Sequence, residues 1–260
     1  MILDTIAAAT RKRVAAVKEI KPLHELREQA LALPKGNHVF EHALKKNGMS
    51  FICEVKKASP SKGLIAPDFP YLNIAQDYEA AGADAISVLT EPEFFLGSDV
   101  YLTEIRQSIG IPVLRKDFTV DEYQLYEAMA IGADAVLLIC ALLDTQTLRQ
   151  YIDICDTLGL SALVEAHTEA EVKSAIDAGA RIVGVNNRNL KTFEVDITAC
   201  IRLRPLVPKD ITFVAESGIR TGEDITQLRE AGVDAVLIGE TLMRSTDKAT
   251  ALAALKGGKA

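Results

Sequence analysis

Five charged residues stand where apolar runs would ordinarily continue with valine or leucine. They are Glu54 and Lys56 in "FICEVKKASPSKG" (51–63), Lys116 in "IPVLRKDF", Glu165 in "SALVEAH" and Glu216 in "ITFVAESG". Strand side chains alternate between faces, so Ile52, Glu54 and Lys56 share one side while Cys53 and Val55 share the other. Three carboxylates and two ammonium groups drawn into one partly dry mouth would titrate as a coupled set. That is the requirement of general acid–base chemistry near neutral pH. Burying an ion costs several kcal/mol unless it is paired, so such a pattern needs partners or a purpose.

The elements that must bring these residues together are legible in a repeat. "AGADAISVL" at 81–89 returns as "IGADAVLLI" at 131–139, "AGARIVGV" at 178–185 and "AGVDAVLIG" at 231–239. Each copy reads as a helix end, a glycine suited to the left-handed position, and a buried strand. The four charge-bearing runs lie between these copies, which makes eight strands. Stretches such as "LNIAQDYEAAG" and "TEAEVKSAIDAG" carry helical spacing between them. Alternation of strand and helix implies parallel pairing through right-handed crossovers. The expected fold is α/β, a (β/α)8 TIM barrel, in which alternate strands send one layer of side chains inward and carry the site at their carboxyl ends. A doubly wound open sheet competes, but no glycine-rich nucleotide turn follows the first strand.

Further candidates follow from this frame. "ESGI" after the seventh strand and "IGE" after the eighth put Ser217, Gly218, Gly239 and Glu240 where barrels bind phosphate through backbone N–H groups. The sixth strand ends in "VNNRNL", with Asn186 inward beside Gly184 and Arg188 able to present a fork of donors to an anion. Phe94 and Phe95 in "EPEFFLGS" are candidates for an apolar wall, and Ser59 joins the substrate-binding set. His167 shares the face of Glu165 but reads as structural. His24, His38 and His42 form no ligand cluster, and no metal and no cofactor are expected.

Composition bounds the rest. With 260 residues and 48% hydrophobic content, one domain is expected over 1–260, comprising a helical extension (1–48) and the barrel (49–260). The extension reads as two or three short helices broken near Pro22 and Pro34, either covering an opening or capping the outside. A formal charge of −7 without a basic run argues against nucleic acid. No secretory signal and no stretch of membrane-spanning length is present, and Cys53, Cys140, Cys155 and Cys200 read as core thiols. These features fit a cytoplasmic protein without membrane or nucleic-acid partners, a monomer or weak homo-oligomer acting on a small phosphorylated molecule.

The stretches "CEVKKASPSKG", "LTEPEFFLGS", "VLRKDF", "LVEAHTEAE", "VGVNNRNLKTFEVD", "AESGI" and "LIGETLMR" together resemble the indole-3-glycerol phosphate synthase family. The resemblance implies a carboxy-lyase of tryptophan biosynthesis. Its substrate would be 1-(2-carboxyphenylamino)-1-deoxyribulose 5-phosphate, closed to an indole with loss of carbon dioxide and water. By the family's pattern Glu54, Lys56, Lys116, Glu165, Asn186 and Ser217 are the catalytic positions. Lys116 would be the general acid and Glu165 the base. Lys56 would pair with the substrate carboxylate, Glu54 would hold the lysines, and Glu216 would be a partner in the charge network. The resemblance also implies that the extension helps cover the substrate, and the chain is too short for the second isomerase barrel fused to some members. One departure is Glu240, where some members have serine, and a carboxylate there suits phosphate only if its N–H faces the ligand. Two other readings are a Schiff-base aldolase using one of the lysines and a phosphate-ligand binding barrel without turnover.

Overall fold

A computed structural model describes residues 2–189 and 192–257; Leu190 and Lys191 of "VGVNNRNLKTFEVD" lie outside the described residues. Eight parallel strands form a closed barrel: β1 (Ser50–Val55), β2 (Ala85–Leu89), β3 (Val113–Lys116), β4 (Ala135–Ile139), β5 (Ser161–Ala166), β6 (Ile182–Asn186), β7 (Thr212–Glu216) and β8 (Ala235–Ile238). Each strand pairs with the next, and β8 returns to β1, where Ser50 faces Ala235 and Cys53 faces Ile238. The expected TIM barrel is therefore the observed fold.

Three helices precede β1: α1 (Ile2–Ile20), α2 (Leu23–Ala32) and α3 (Val39–Leu44). The crossovers carry α4 (Tyr71–Ala80), α5 (Asp99–Ser108), α6 (Tyr123–Ala130), α7 (Thr145–Leu158), α8 (Glu169–Asp177), α9 (Thr198–Leu203) and α10 (Gly222–Glu230), and α11 (Glu240–Arg244) and α12 (Lys248–Leu255) follow β8. The repeat seen in the sequence is a structural unit. Gly82, Gly132, Gly179 and Gly232 all have φ between 80 and 92°, a left-handed turn joining a helix end to the next strand.

Strand parity divides the core in two. Ile52, Leu114, Leu137, Leu163, Ile182, Val214 and Leu237 fill the barrel interior, while Cys53, Val55, Val136, Val164, Val183, Phe213 and Val236 pack outward against the helices. Glu54 therefore continues the inward face of Ile52, as alternation requires. All four cysteines are free, and Cys53, Cys155 and Cys200 are buried. Among the described residues no helix is long and apolar enough to cross a membrane.

The extension serves both ends of the barrel. Helix α3 closes the end where the strands begin. Phe40 and Leu44 enter the interior cluster, the Glu41 N–H donates to Ser161 Oγ at the start of β5, and Ser50 Oγ donates to the Leu44 carbonyl. Glu41 also pairs with Arg181 at 2.8 Å and Lys45 at 2.7 Å, and these cations outweigh the opposing effect of burial to hold its carboxyl below the usual range. At the opposite mouth lies α1, a helix of 19 residues rather than a short one. The boundary expected at 48/49 thus falls between a plug and the barrel it fills, so removing 1–48 would open the barrel floor as well as remove α1.

Phe40 is fully buried. Phe40→Ala is expected to lower unfolding stability by about 3–5 kcal/mol through the cavity it leaves. Chemical denaturation would measure this loss, while turnover per folded molecule stays near the parental value because the plug is remote from the other mouth.

Candidate active site

The odd-numbered strands supply the charges: Glu54 from β1, Lys116 from β3, Glu165 from β5 and Glu216 from β7. Lys116 Nζ lies 3.4 Å from Glu165 Oε2 and 3.4 Å from Glu216 Oε2. Lys56 pairs with Glu54 Oε1 at 2.5 Å. Even-numbered strands make room for these carboxylates by omission. A Cβ at Gly184 on β6 would stand 2.3 Å from Glu216 Oε1, and one at Gly239 after β8 would stand 2.3 Å from Glu54 Oε1. Neither position tolerates a side chain while the acids keep their places.

Electrostatics separates the two otherwise similar carboxylates beside Lys116. Burial alone would lower the affinity of Lys116 for its proton, but Glu216, Glu165 and Glu54 raise it above the usual lysine range, so Lys116 rests as the ammonium. Glu165 is opposed by burial yet held below the usual carboxylate range by Lys116, His167 and a hydrogen bond from Asn186. Glu216 is pushed up to about 8, by burial and by the charges of Glu165 and Glu54, against the pull of Lys116. Its Oε1 is buried and accepts no hydrogen bond among the described residues. The surroundings thus favour the anion at Glu165 and the protonated acid at Glu216.

Around these charges is a cavity of about 470 Å³, lined by Glu54, Lys56, Lys116, Glu165, Asn186 and Glu216 at its floor. Asn186 Oδ1 accepts the Arg188 N–H at 3.0 Å, which turns its amide nitrogen toward Glu165. Ser217, with φ of 67°, and Gly218, with φ of 83°, form the turn after β7. Asn187 Nδ2 donates to the Ser217 carbonyl at 3.1 Å and steadies that turn. Ser59 also lines the cavity, and its buried hydroxyl has no hydrogen-bond partner among the described residues. It sits in a small antiparallel hairpin, Ala58–Ser59 with Gly63–Leu64, which the sequence did not suggest.

Glu240 differs from expectation. Glu240 lines the cavity, and its carboxylate is paired with Arg244 at 3.2 Å, Lys62 at 3.3 Å and Arg188 at 3.8 Å. Three cations against one anion leave this end positive. Of the two phenylalanines, Phe95 lines the cavity, packed 5.8 Å from Phe118. Phe94 does not; its N–H is fixed by Glu91 Oε2 at 2.7 Å in a turn that also binds the Phe95 N–H. The other aromatics lining the cavity are Phe118, which directly follows Lys116 and Asp117, and Phe193.

Other contributors escaped the sequence reading. Leu3 and Ile6 of α1 line the cavity, and one guanidinium nitrogen of Arg13 lies 2.9 Å from both oxygens of Asp117, next to the key lysine. Arg115 behind it is buried and joined to Asp99 at 2.9 Å and Glu127 at 2.7 Å. His167, read as structural, stands 3.6 Å from Glu165 Oε1. The spacing of two from Glu165 was its only signal.

The fold and this mouth define a (β/α)8-barrel enzyme with paired lysines and carboxylates at the carboxyl ends of its strands. The family description "Indole-3-glycerol phosphate synthase" matches residues 3–255. The chain belongs to that family, carboxy-lyases of tryptophan biosynthesis. Similar proteins of that name include one from Ruminiclostridium cellulolyticum, 66% identical over 99% of both chains. Another, from Endomicrobium trichonymphae, is 56% identical over 98% of this chain and 100% of its own. A solved 3-hexulose-6-phosphate synthase from Salmonella typhimurium, 16% identical, covers 80% of this chain and 97% of its own with a TM-score of 0.66, a likeness of fold alone.

Because Glu216 binds its proton more tightly folded than unfolded, folding takes up a proton between about pH 5 and 8. Its contribution to stability is complete below that window and is lost as pH rises through it. Denaturation midpoints measured from pH 5 to 9 are expected to fall, and Glu216→Gln is expected to flatten that fall.

Proposed function

We propose that this chain closes 1-(2-carboxyphenylamino)-1-deoxyribulose 5-phosphate to indole-3-glycerol phosphate, with release of carbon dioxide and water, through the residues just described. The observation that carries this assignment is the Lys116 ammonium set 3.4 Å from each of two buried carboxylates, whose surroundings push their proton affinities in opposite directions. Lys116 donates to the ketone oxygen as the aryl carbon attacks, where negative charge develops most strongly. Lys56, oriented by Glu54, pairs with the substrate carboxylate until carbon dioxide leaves and the ring electrons are restored. Dehydration then needs one proton removed and one hydroxyl protonated. Glu165 removes the proton, Asn186 orients the hydroxyl, and Lys116, resupplied by the proton held on Glu216, protonates that hydroxyl as it leaves as water.

The phosphate end is assigned to the N–H groups of Ser217, Gly218, Gly239 and Glu240, with Ser59 and Arg188 beside them. The net positive charge left by Lys62, Arg188 and Arg244 around Glu240 supports a phosphate dianion there. Phe95 supports the aromatic end. Residues 1–260 act as one domain, which the α3 plug and the Arg13–Asp117 contact support. Four free cysteines and the lack of a membrane-crossing helix among the described residues support a cytoplasmic setting, and a monomer or weak homo-oligomer is proposed.

Lys116→Ala is expected to reduce single-turnover rates by about 10²-fold or more while a binding titration changes little, since the donor acts chiefly in the transition state. Indole fluorescence reads the rate. Activity within about tenfold of the parent would remove Lys116 from the acid's role. Borohydride trapping of substrate on Lys56 or Lys116 would instead favour the aldolase.

Arg13→Ala separates the roles of the extension because it leaves the α3 plug intact. It is expected to raise KM several-fold with native circular dichroism, as α1 loosens over the mouth and admits water. An unchanged KM would make α1 an external cap.

A further inference from the structure

Both ring nitrogens of His167 are buried, and neither makes a hydrogen bond of good geometry among the described residues. They are nonetheless aimed at two acids. Nε2 lies 3.6 Å from Glu165 Oε1 and Nδ1 lies 3.4 Å from Glu171 Oε2. Glu171 belongs to the first turn of α8, where Thr168 Oγ1 accepts its N–H at 3.2 Å and its own Oε2 accepts the His167 N–H at 2.6 Å. The cap of α8 therefore fixes the backbone of His167 and the anion behind its ring. On the far side of Glu165, Oε2 faces Lys116 Nζ at 3.4 Å. The two oxygens of the carboxylate thus face different nitrogens, Oε1 the His167 ring and Oε2 the Lys116 ammonium.

We propose that His167, braced by Glu171, is a positioning residue that orients the Glu165 carboxylate and keeps it anionic for proton removal. The inference rests on Glu165 being the base, as assigned above. Glu165 from β5, Glu171 from α8 and, at longer range, Glu216 from β7 face the ring; Lys116 from β3 is the nearby cation beyond Glu165. Cys140, after β4, packs on the Glu171 carbonyl, and burial pushes its thiol up to about 12, so it stays neutral. Burial disfavours the imidazolium, but Glu171 and Glu165 more than offset this and raise its proton affinity. A cation 3.6 Å from Glu165 lowers the pH at which that acid takes up a proton. Removing the cation must move protonation of the base to higher pH.

The test is the pH profile of kcat/KM for the parent, His167→Gln and Glu171→Gln. The acidic limb is expected to move up by about one pH unit in His167→Gln and by less in Glu171→Gln. At high pH both variants are expected to approach parental activity. A limb that does not move, or a uniform loss at every pH, would overturn the proposal. Because a core variant can fail to fold, the imidazole is also titrated by NMR in the parent and in Glu165→Gln. Its pKa is expected to fall when the neighbouring anion is removed, and an unchanged value would overturn the proposal. The same variant isolates the underlying assignment: if Glu165→Gln keeps the acidic limb, the base is misassigned, whereas the NMR coupling still reports on His167.

Discussion

A lysine ammonium shared between two buried carboxylates is the constraint on which the mouth of this barrel depends. Isolated, each of these ions would lose several kcal/mol of hydration. Together they are held within contact distance, but one cation cannot neutralise two anions. The neighbours decide which acid keeps its proton. Glu165 has Asn186 and His167 in addition to Lys116, whereas Glu216 has an oxygen that accepts no hydrogen bond among the described residues. Two glutamates on alternate strands thereby become a base and an acid without any difference in covalent structure.

The scaffold serves that division by where it places bulk. Inward layers below the charges are aliphatic, and beside Glu216 and Glu54 stand glycines, Gly184 and Gly239, whose missing side chains leave room for the carboxylate oxygens. The extension then treats the two ends of the barrel differently. At the floor it contributes Phe40 and Leu44 as ordinary core, where burial stabilises the fold. At the mouth it contributes Leu3 and Ile6 as wall and Arg13 as a tether to Asp117. Stability and substrate enclosure are thus carried by different segments of one leader.

Features set by local rules were legible in the sequence. Strand parity placed Glu54, Lys116, Glu165 and Glu216 on one face, and the repeated glycines marked the helix-to-strand turns. Contacts between distant segments were not. Nothing near Arg13 signals Asp117, more than a hundred residues away, and nothing in "EFF" tells which ring turns inward. That choice is made by Glu91, whose carboxylate gathers three successive N–H groups and fixes the turn. The neighbours of His167 were not legible because a lone histidine carries no pattern; Glu171 is brought back to it by the capping geometry of α8. The plug was missed for a related reason, since a short helix before a first strand has no periodicity long enough to show which end of the barrel it enters.

Glu240 shows why residue type at one position is a poor guide to the charge of a site. Read alone, a carboxylate beside a phosphate cradle is repulsive. In its setting it meets Lys62 from the loop after β1, Arg188 from the loop after β6 and Arg244 from its own helix. Coulomb energy between such partly solvated groups is modest per pair, so the sum over the cluster decides the sign, and that sum is positive. The carboxylate also joins three segments that would otherwise repel one another as neighbouring cations. An anion arriving at this end would meet cations already gathered in one place, and the cost of assembling like charges is met in the folding of the chain rather than at the moment of binding.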